Sequence, residues 1–185
     1  MIDKNMPEGV DASMINSSVT RLVSEKSTTQ TESNNKTRAK RSISQNRRKS
    51  RELVLKAVYR GMLNQSALTS IFRDMTDDPD YKKADEAYFK HLLEAVTTHV
   101  EALDKSLANF IDRPVAELSP VEHAILRISG CELIYDLSIP YRVVINEGVE
   151  LAKLYGGTDG HKYINGVLDK MAAEVRSSEV QSARN

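Results

Sequence analysis

Few residues in this chain are of a type and spacing that could do covalent chemistry. The four histidines, His91, His99, His123 and His161, are scattered, and none shares a two-ligand spacing with another, so they read as surface or half-buried imidazoles rather than metal ligands. The single cysteine, Cys131, falls on the apolar stripe of a helical pattern, where a small buried side chain is the default. Its neighbours Gly130 and Glu132 offer no positive charge to make it a thiolate nucleophile. Gly156-Gly157 and Gly160 lack both the preceding strand and the Lys-Ser/Thr tail of a phosphate loop. The carboxylate pairs Asp77/Asp78 and Glu147/Glu150 read as a solvated turn and a solvated helix face. No catalytic residue, cofactor or metal is expected, and the chain reads as a non-enzyme.

What the spacing does support is contact with a polyanion. The formal net charge is zero, yet residues 33–51 hold eight basic side chains (Lys36, Arg38, Lys40, Arg41, Arg47, Arg48, Lys49 and Arg51) and no acidic one. Residues 52–185 hold 15 basic and 21 acidic side chains. A positive arm on a mildly acidic body suits a polyanionic partner, and it also suits a solvated basic tail; the charge run alone does not separate the two.

Positioning these cations falls to a helical scaffold. Residues 1–45 are rich in Ser, Thr, Asn and charge without a sustained apolar period, and such a segment does not bury enough surface to offset the entropy of ordering it. It is expected to be a disordered tail. From Asn46 the period becomes helical, with Leu53/Val54, Ala57/Val58 and Gly61/Met62 sharing one face of a helix to about Asn64. Its first turn carries Arg47, Arg48, Lys49 and Arg51, the wrong sign for the helix dipole, so those charges serve something other than helix stability. A short helix follows near Ala67–Met75, then a polar turn at Asp77–Asp80, and two helices at Asp85–Val96 and Thr98–Phe110. Leu118-Ser119-Pro120-Val121-Glu122 has the elements of a capping box with Pro at the first helical position, opening a helix to about Tyr135. Ile139-Pro140 opens the next, which stops at Gly156-Gly157, and Thr158 or Asp159 caps a last helix through Ile164, Val167, Leu168 and Met171. No period-2 run bounded by turns occurs. The expected fold is all-α, a compact bundle of about seven helices over 46–176, with 177–185 a flexible C-terminal tail. One cysteine, no apolar run of membrane-spanning length and no signal-peptide core point to a cytoplasmic protein.

Three ordered stretches resemble the NusB family of transcription antitermination proteins. They are Arg47-Arg48-Lys49-Ser50-Arg51-Glu52-Leu53-Val54-Leu55-Lys56-Ala57-Val58-Tyr59; Leu118 to Ile128; and Ile139-Pro140-Tyr141-Arg142-Val143-Val144-Ile145-Asn146-Glu147, continuing through Glu150-Leu151-Ala152-Lys153 to His161-Lys162-Tyr163-Ile164-Asn165-Gly166-Val167-Leu168-Asp169-Lys170. Order and spacing agree over roughly residues 46–176. The resemblance implies two linked three-helix sub-bundles and binding to the boxA element of ribosomal RNA leader transcripts. It also implies a protein partner, NusE, a small-subunit ribosomal protein, and a place in the RNA polymerase antitermination complex.

On that resemblance, Arg47, Arg48, Lys49 and Arg51 pair with RNA phosphates, and Tyr163 stacks on a base where the family usually has Phe. Read from its neighbours Ile164 and Val167 alone, Tyr163 is a core-edge residue before it is a stacking one; the resemblance reverses that order. Asp159 matches an acidic position linked to RNA recognition, and helix capping explains it as well. The stretch Gly157 to His161 departs from the family in carrying Gly where Ser is commoner. Tyr59 and Glu122 match positions on the NusE surface; the alternatives are a cap on the core beside Val58 and the capping box. Arg38, Lys40 and Arg41 lie outside the matched region, and their contact with RNA is a separate expectation. Two rivals stand beside this reading: a helical scaffold binding protein alone, and a module detached from an rRNA methyltransferase-type protein. For the latter the chain shows no Gly-rich cofactor loop and no room for a Rossmann-type domain.

Overall fold

The computed structural model describes residues 42–43, 45–64 and 68–183. The tail expected over 1–45, with Arg38, Lys40 and Arg41, lies almost wholly outside the described residues. Among those described, all regular structure is helical: α1 (45–64), α2 (Leu68–Thr76), α3 (Glu86–Thr98), α4 (Val100–Leu107), α5 (Pro120–Tyr135), α6 (Tyr141–Tyr155), α7 (Gly160–Val175) and α8 (Ser177–Ser182), with short 3₁₀ turns at Tyr81–Lys83 and Val115–Glu117.

α5 is the central element. Its residues from His123 to Leu133 are buried almost without interruption, as expected of a helix packed on every side. α6 and α7 pack on it and on each other as one three-helix group, while α3 and α4 pack on it from another side. α6 sits close because it carries Gly148: a Cβ there would stand 2.7 Å from Ser129 Oγ of α5 and 2.9 Å from Leu168 Cδ1 of α7. On the other side Phe89 of α3, fully buried, is bracketed by Phe72 of α2 at 5.8 Å and by an edge-on Tyr81 at 5.6 Å.

The helix starts follow the local chemistry. Ser119 Oγ accepts from the Glu122 N–H at 3.2 Å with Pro120 in the first turn, and Asp85 accepts from the Tyr88 N–H at 3.1 Å. The return half of the capping box does not form; Glu122 lies against Gly160 instead, its Oε1 3.0 Å from where a Cβ would stand. α6 begins after Pro140 and stops at Gly156.

Two differences from the sequence-based expectation are physical in origin. The helix expected to run to Phe110 ends at Leu107, where Phe110 and Ile111 turn back to donate to the Leu107 carbonyl. The stretch expected as a C-terminal tail contains α8, which buries Val180 and is tied down by Arg176. That guanidinium, itself buried, donates to the carbonyls of Leu133 (2.7 Å), Asp136 (2.8 Å) and Glu132 (3.2 Å) and pairs with Glu179 at 2.9 Å. It thereby satisfies the Leu133 carbonyl at the end of α5 and adds a second donor to those of Glu132 and Asp136.

Candidate nucleic-acid interface

The basic start of α1 is seated on three other helices, and each of its cations has a carboxylate. Ser50, buried, donates to the carbonyls of Asn46 (3.0 Å) and Asp85 (2.8 Å), which fixes the start of α1 against that of α3. Arg47 lies 3.8 Å from Asp85 and over the Tyr88 ring, 4.9 Å from its centroid. Arg48 forks onto Glu147 of α6 through Nε (3.1 Å) and Nη2 (2.9 Å). Lys49 reaches Glu52 at 2.8 Å and Asp80 at 3.3 Å. Hydrogen bonding to these carboxylates raises the pKa of Arg48 and of Lys49, so both remain fully charged.

Arg51 takes a different place. Its side chain is 4% exposed and its Nε donates to both oxygens of Glu132, at 2.9 and 3.1 Å, with Glu147 3.7 Å from its Nη1. Glu132 is 1% exposed and also accepts from the Tyr88 hydroxyl. Burial outweighs the pull of Arg51 and leaves the Glu132 carboxyl raised to about 7. Arg51, expected among the phosphate-binding cations, is therefore turned into the core, because the 3.6-residue period places it on the face that carries Val54 and Val58. Glu147 likewise departs from the solvated helix face expected of it: it is buried and shared between Arg48 and Arg51.

Tyr163 belongs to a second group, at the starts of α5 and α7. It is half-buried on α7, with Arg113 from the α4–α5 loop stacked 4.8 Å from its ring centroid. Arg113 pairs with Asp112 at 3.0 Å. The Tyr163 hydroxyl is enclosed beside Asp112, and burial followed by the Asp112 charge raises its pKa. Asp159 occupies the N-cap position of α7, but its side chain pairs with Lys162 at 2.9 Å rather than capping a backbone N–H, and both side chains are largely exposed. Glu122 joins this group through Gly160. Tyr59 stands apart, exposed on the second half of α1 beside a cleft of about 430 Å³ lined also by Lys56, Arg60, Leu63 and Asp74.

Thus Asp159, Tyr163 and Glu122 come together, while no hydrogen bond, ion pair or ring contact among the described residues joins them to Arg47–Arg51. Three participants were not foreseen from the sequence. Arg113 sits in a loop whose sequence gives no sign of its neighbour. Glu132 and Glu147 left a signal: each is an acidic residue flanked by apolar helix positions, which calls for a buried cation. Elsewhere Cys131 is buried, its thiol pushed up to about 12 by desolvation, and so is inert. Among the described residues no group of three or more His, Cys, Asp or Glu is placed to hold a metal, and no helix is long and apolar enough to cross a membrane.

The described residues form an all-helical body with a carboxylate-paired basic start to α1, and its one thiol is buried. The chain belongs to the NusB family, whose model matches residues 48–173. The transcription antitermination protein NusB of Methylobacillus flagellatus is 62% identical over 138 residues, covering 75% of this chain and 90% of that protein. The structure is similar to NusB of T. maritima (TM-score 0.65, 25% identity, 73% of this chain and 96% of that one). It is also similar to a solved complex of antitermination factors NusB and NusE with double-stranded RNA (TM-score 0.59, 25% identity, 68% of this chain and 94% of that one). The family is one of transcription antitermination factors, not of enzymes.

Proposed function

We propose that this protein binds the boxA element of ribosomal RNA leader transcripts together with NusE, within the RNA polymerase antitermination complex, and so sustains transcription of ribosomal RNA. The observation that carries the reading is the 62% identity to an antitermination protein across most of both chains. The geometry supports it. Arg47, Arg48 and Lys49 stay partly exposed although paired, so each keeps donors for a phosphate, and binding there releases counterions. Arg51 serves from beneath. Tyr163 with Arg113 over its ring supplies a flat edge on which an unpaired base is stacked, and Asp159 beside it accepts from a base or ribose. For NusE, Tyr59 on the second half of α1 serves as an amphipathic anchor, and Glu122, apart from it at the start of α5, serves as an acceptor.

A fluorescent boxA oligoribonucleotide titrated with the full chain, with and without NusE, tests this at physiological salt. The boxA strand binds more tightly than a scrambled one, and more tightly again with NusE; equal affinity for both strands with NusE present ends the reading. Replacing Arg47, Arg48 and Lys49 by Ala weakens binding and flattens the slope of log K against log salt by about 0.7 for each phosphate that is no longer neutralised.

A further inference from the structure

Between the exposed cations and the core runs a line of alternating charge. Glu132, buried on α5, accepts both bonds from Arg51 Nε. Arg51 Nη1 lies 3.7 Å from Glu147 Oε2. Glu147 then accepts a parallel fork from Arg48, whose side chain is 45% exposed. The first three groups are enclosed and only the last reaches solvent.

We propose that Glu147 is the positioning residue for phosphate binding by Arg48: it holds the guanidinium in one orientation, edge outward, before RNA arrives. The inference rests on the RNA-binding reading above. A guanidinium has five N–H donors. Glu147 takes the Nε hydrogen and one on Nη2, which leaves the Nη1 pair and the second Nη2 hydrogen for the fork geometry that suits a phosphate. An arginine in the first turn of a helix otherwise spreads over many rotamers, and ordering it is charged against binding. Glu147 removes that cost only because it is itself fixed, from below by Arg51 and by its place on α6 between the buried Ile145 and Gly148.

The sign of the effect separates positioning from plain electrostatics. A carboxylate beside a phosphate site repels the ligand, so on charge alone its removal strengthens RNA binding. Positioning makes the opposite prediction. Glu147→Gln, which keeps shape and loses charge, and Glu147→Asp, which keeps charge and loses reach, both weaken binding of the boxA oligoribonucleotide by about two- to tenfold, the worth of ordering one long side chain in advance. Each loss depends on Arg48: the double variant Arg48→Ala/Glu147→Gln binds no more weakly than Arg48→Ala. Circular dichroism and the thermal midpoint of each variant report folding separately, and the Asp variant carries the test if the Gln variant does not fold.

Unchanged or tighter binding by both Glu147 variants overturns the proposal, as does a Glu147→Gln loss that adds in full to that of Arg48→Ala. Undiminished binding by Arg48→Ala overturns it too, while leaving boxA recognition standing. Absence of boxA preference in the unaltered chain with NusE strikes the function itself.

Discussion

At the scale of single residues, charge in this chain is decided by burial. Arg47, Arg48, Lys49 and Arg51 are adjacent and chemically alike, yet Arg51 is enclosed with Glu132 while the others keep contact with solvent. A buried pair holds its place less by its own net worth than by the penalty for breaking it. Arg51→Met strands Glu132 and costs about 3–5 kcal/mol in urea unfolding. The loss is larger at about pH 8 than at about pH 5, since a stranded carboxyl sheds its charge by taking up a proton. Adding Glu132→Gln to Arg51→Met recovers much of the deficit; a double variant no more stable than the single one contradicts this account.

At the scale of elements, two glycines that look alike in sequence have opposite roles. Gly148 lets α6 touch α5 and α7, and a methyl there meets Ser129 and Leu168 inside contact distance. Gly148→Ala therefore lowers the thermal midpoint, at a cost of about 1–3 kcal/mol from overpacking, despite the better helix propensity of alanine. Gly166 on α7 has nothing within 4 Å of its would-be Cβ, so Gly166→Ala raises the midpoint, by up to about 1 kcal/mol in stability. The same packing logic accounts for what was legible. The cap at Ser119-Pro120 and the stop at Gly156 are local events, readable from a few adjacent residues. The docking of α8 on the end of α5 through Arg176 depends on partners 43 and 40 positions away.

At the scale of the molecule, helices on different sides of α5 are joined to it by ion pairs as well as by apolar contact. Asp104 of α4 accepts from Arg127 at 2.8 and 2.6 Å and bonds His123 at 2.7 Å, both on α5. Burial alone raises the Asp104 pKa, but the hydrogen bonds from Arg127 and His123 outweigh it and hold the carboxyl at about 2. A carboxyl depressed in the folded state stabilises above its unfolded pKa and loses that contribution as pH falls through the folded value. Between about pH 4 and pH 2 the native state loses up to about 2 kcal/mol from this group. Stability measured across that window falls more steeply in the parent chain than in Asp104→Asn; equal slopes exclude Asp104 as the source.

The helical period, the Ser119 cap and the stop at Gly156 were determined by the sequence itself, because each is an interaction among residues within a turn or two of one another, and the three family stretches are read along the chain without its fold. With them came the all-α class, the family and the location of the cations at the start of α1. Which cation keeps contact with solvent, which carboxylate holds it, and that Arg113 lies on Tyr163 were decided only by the tertiary structure. Those pairings join residues as far apart as Arg48 and Glu147, 99 positions along the chain. The side-chain types announce a charge without naming its partner, and the choice between solvent and core is made by the helix packed against it.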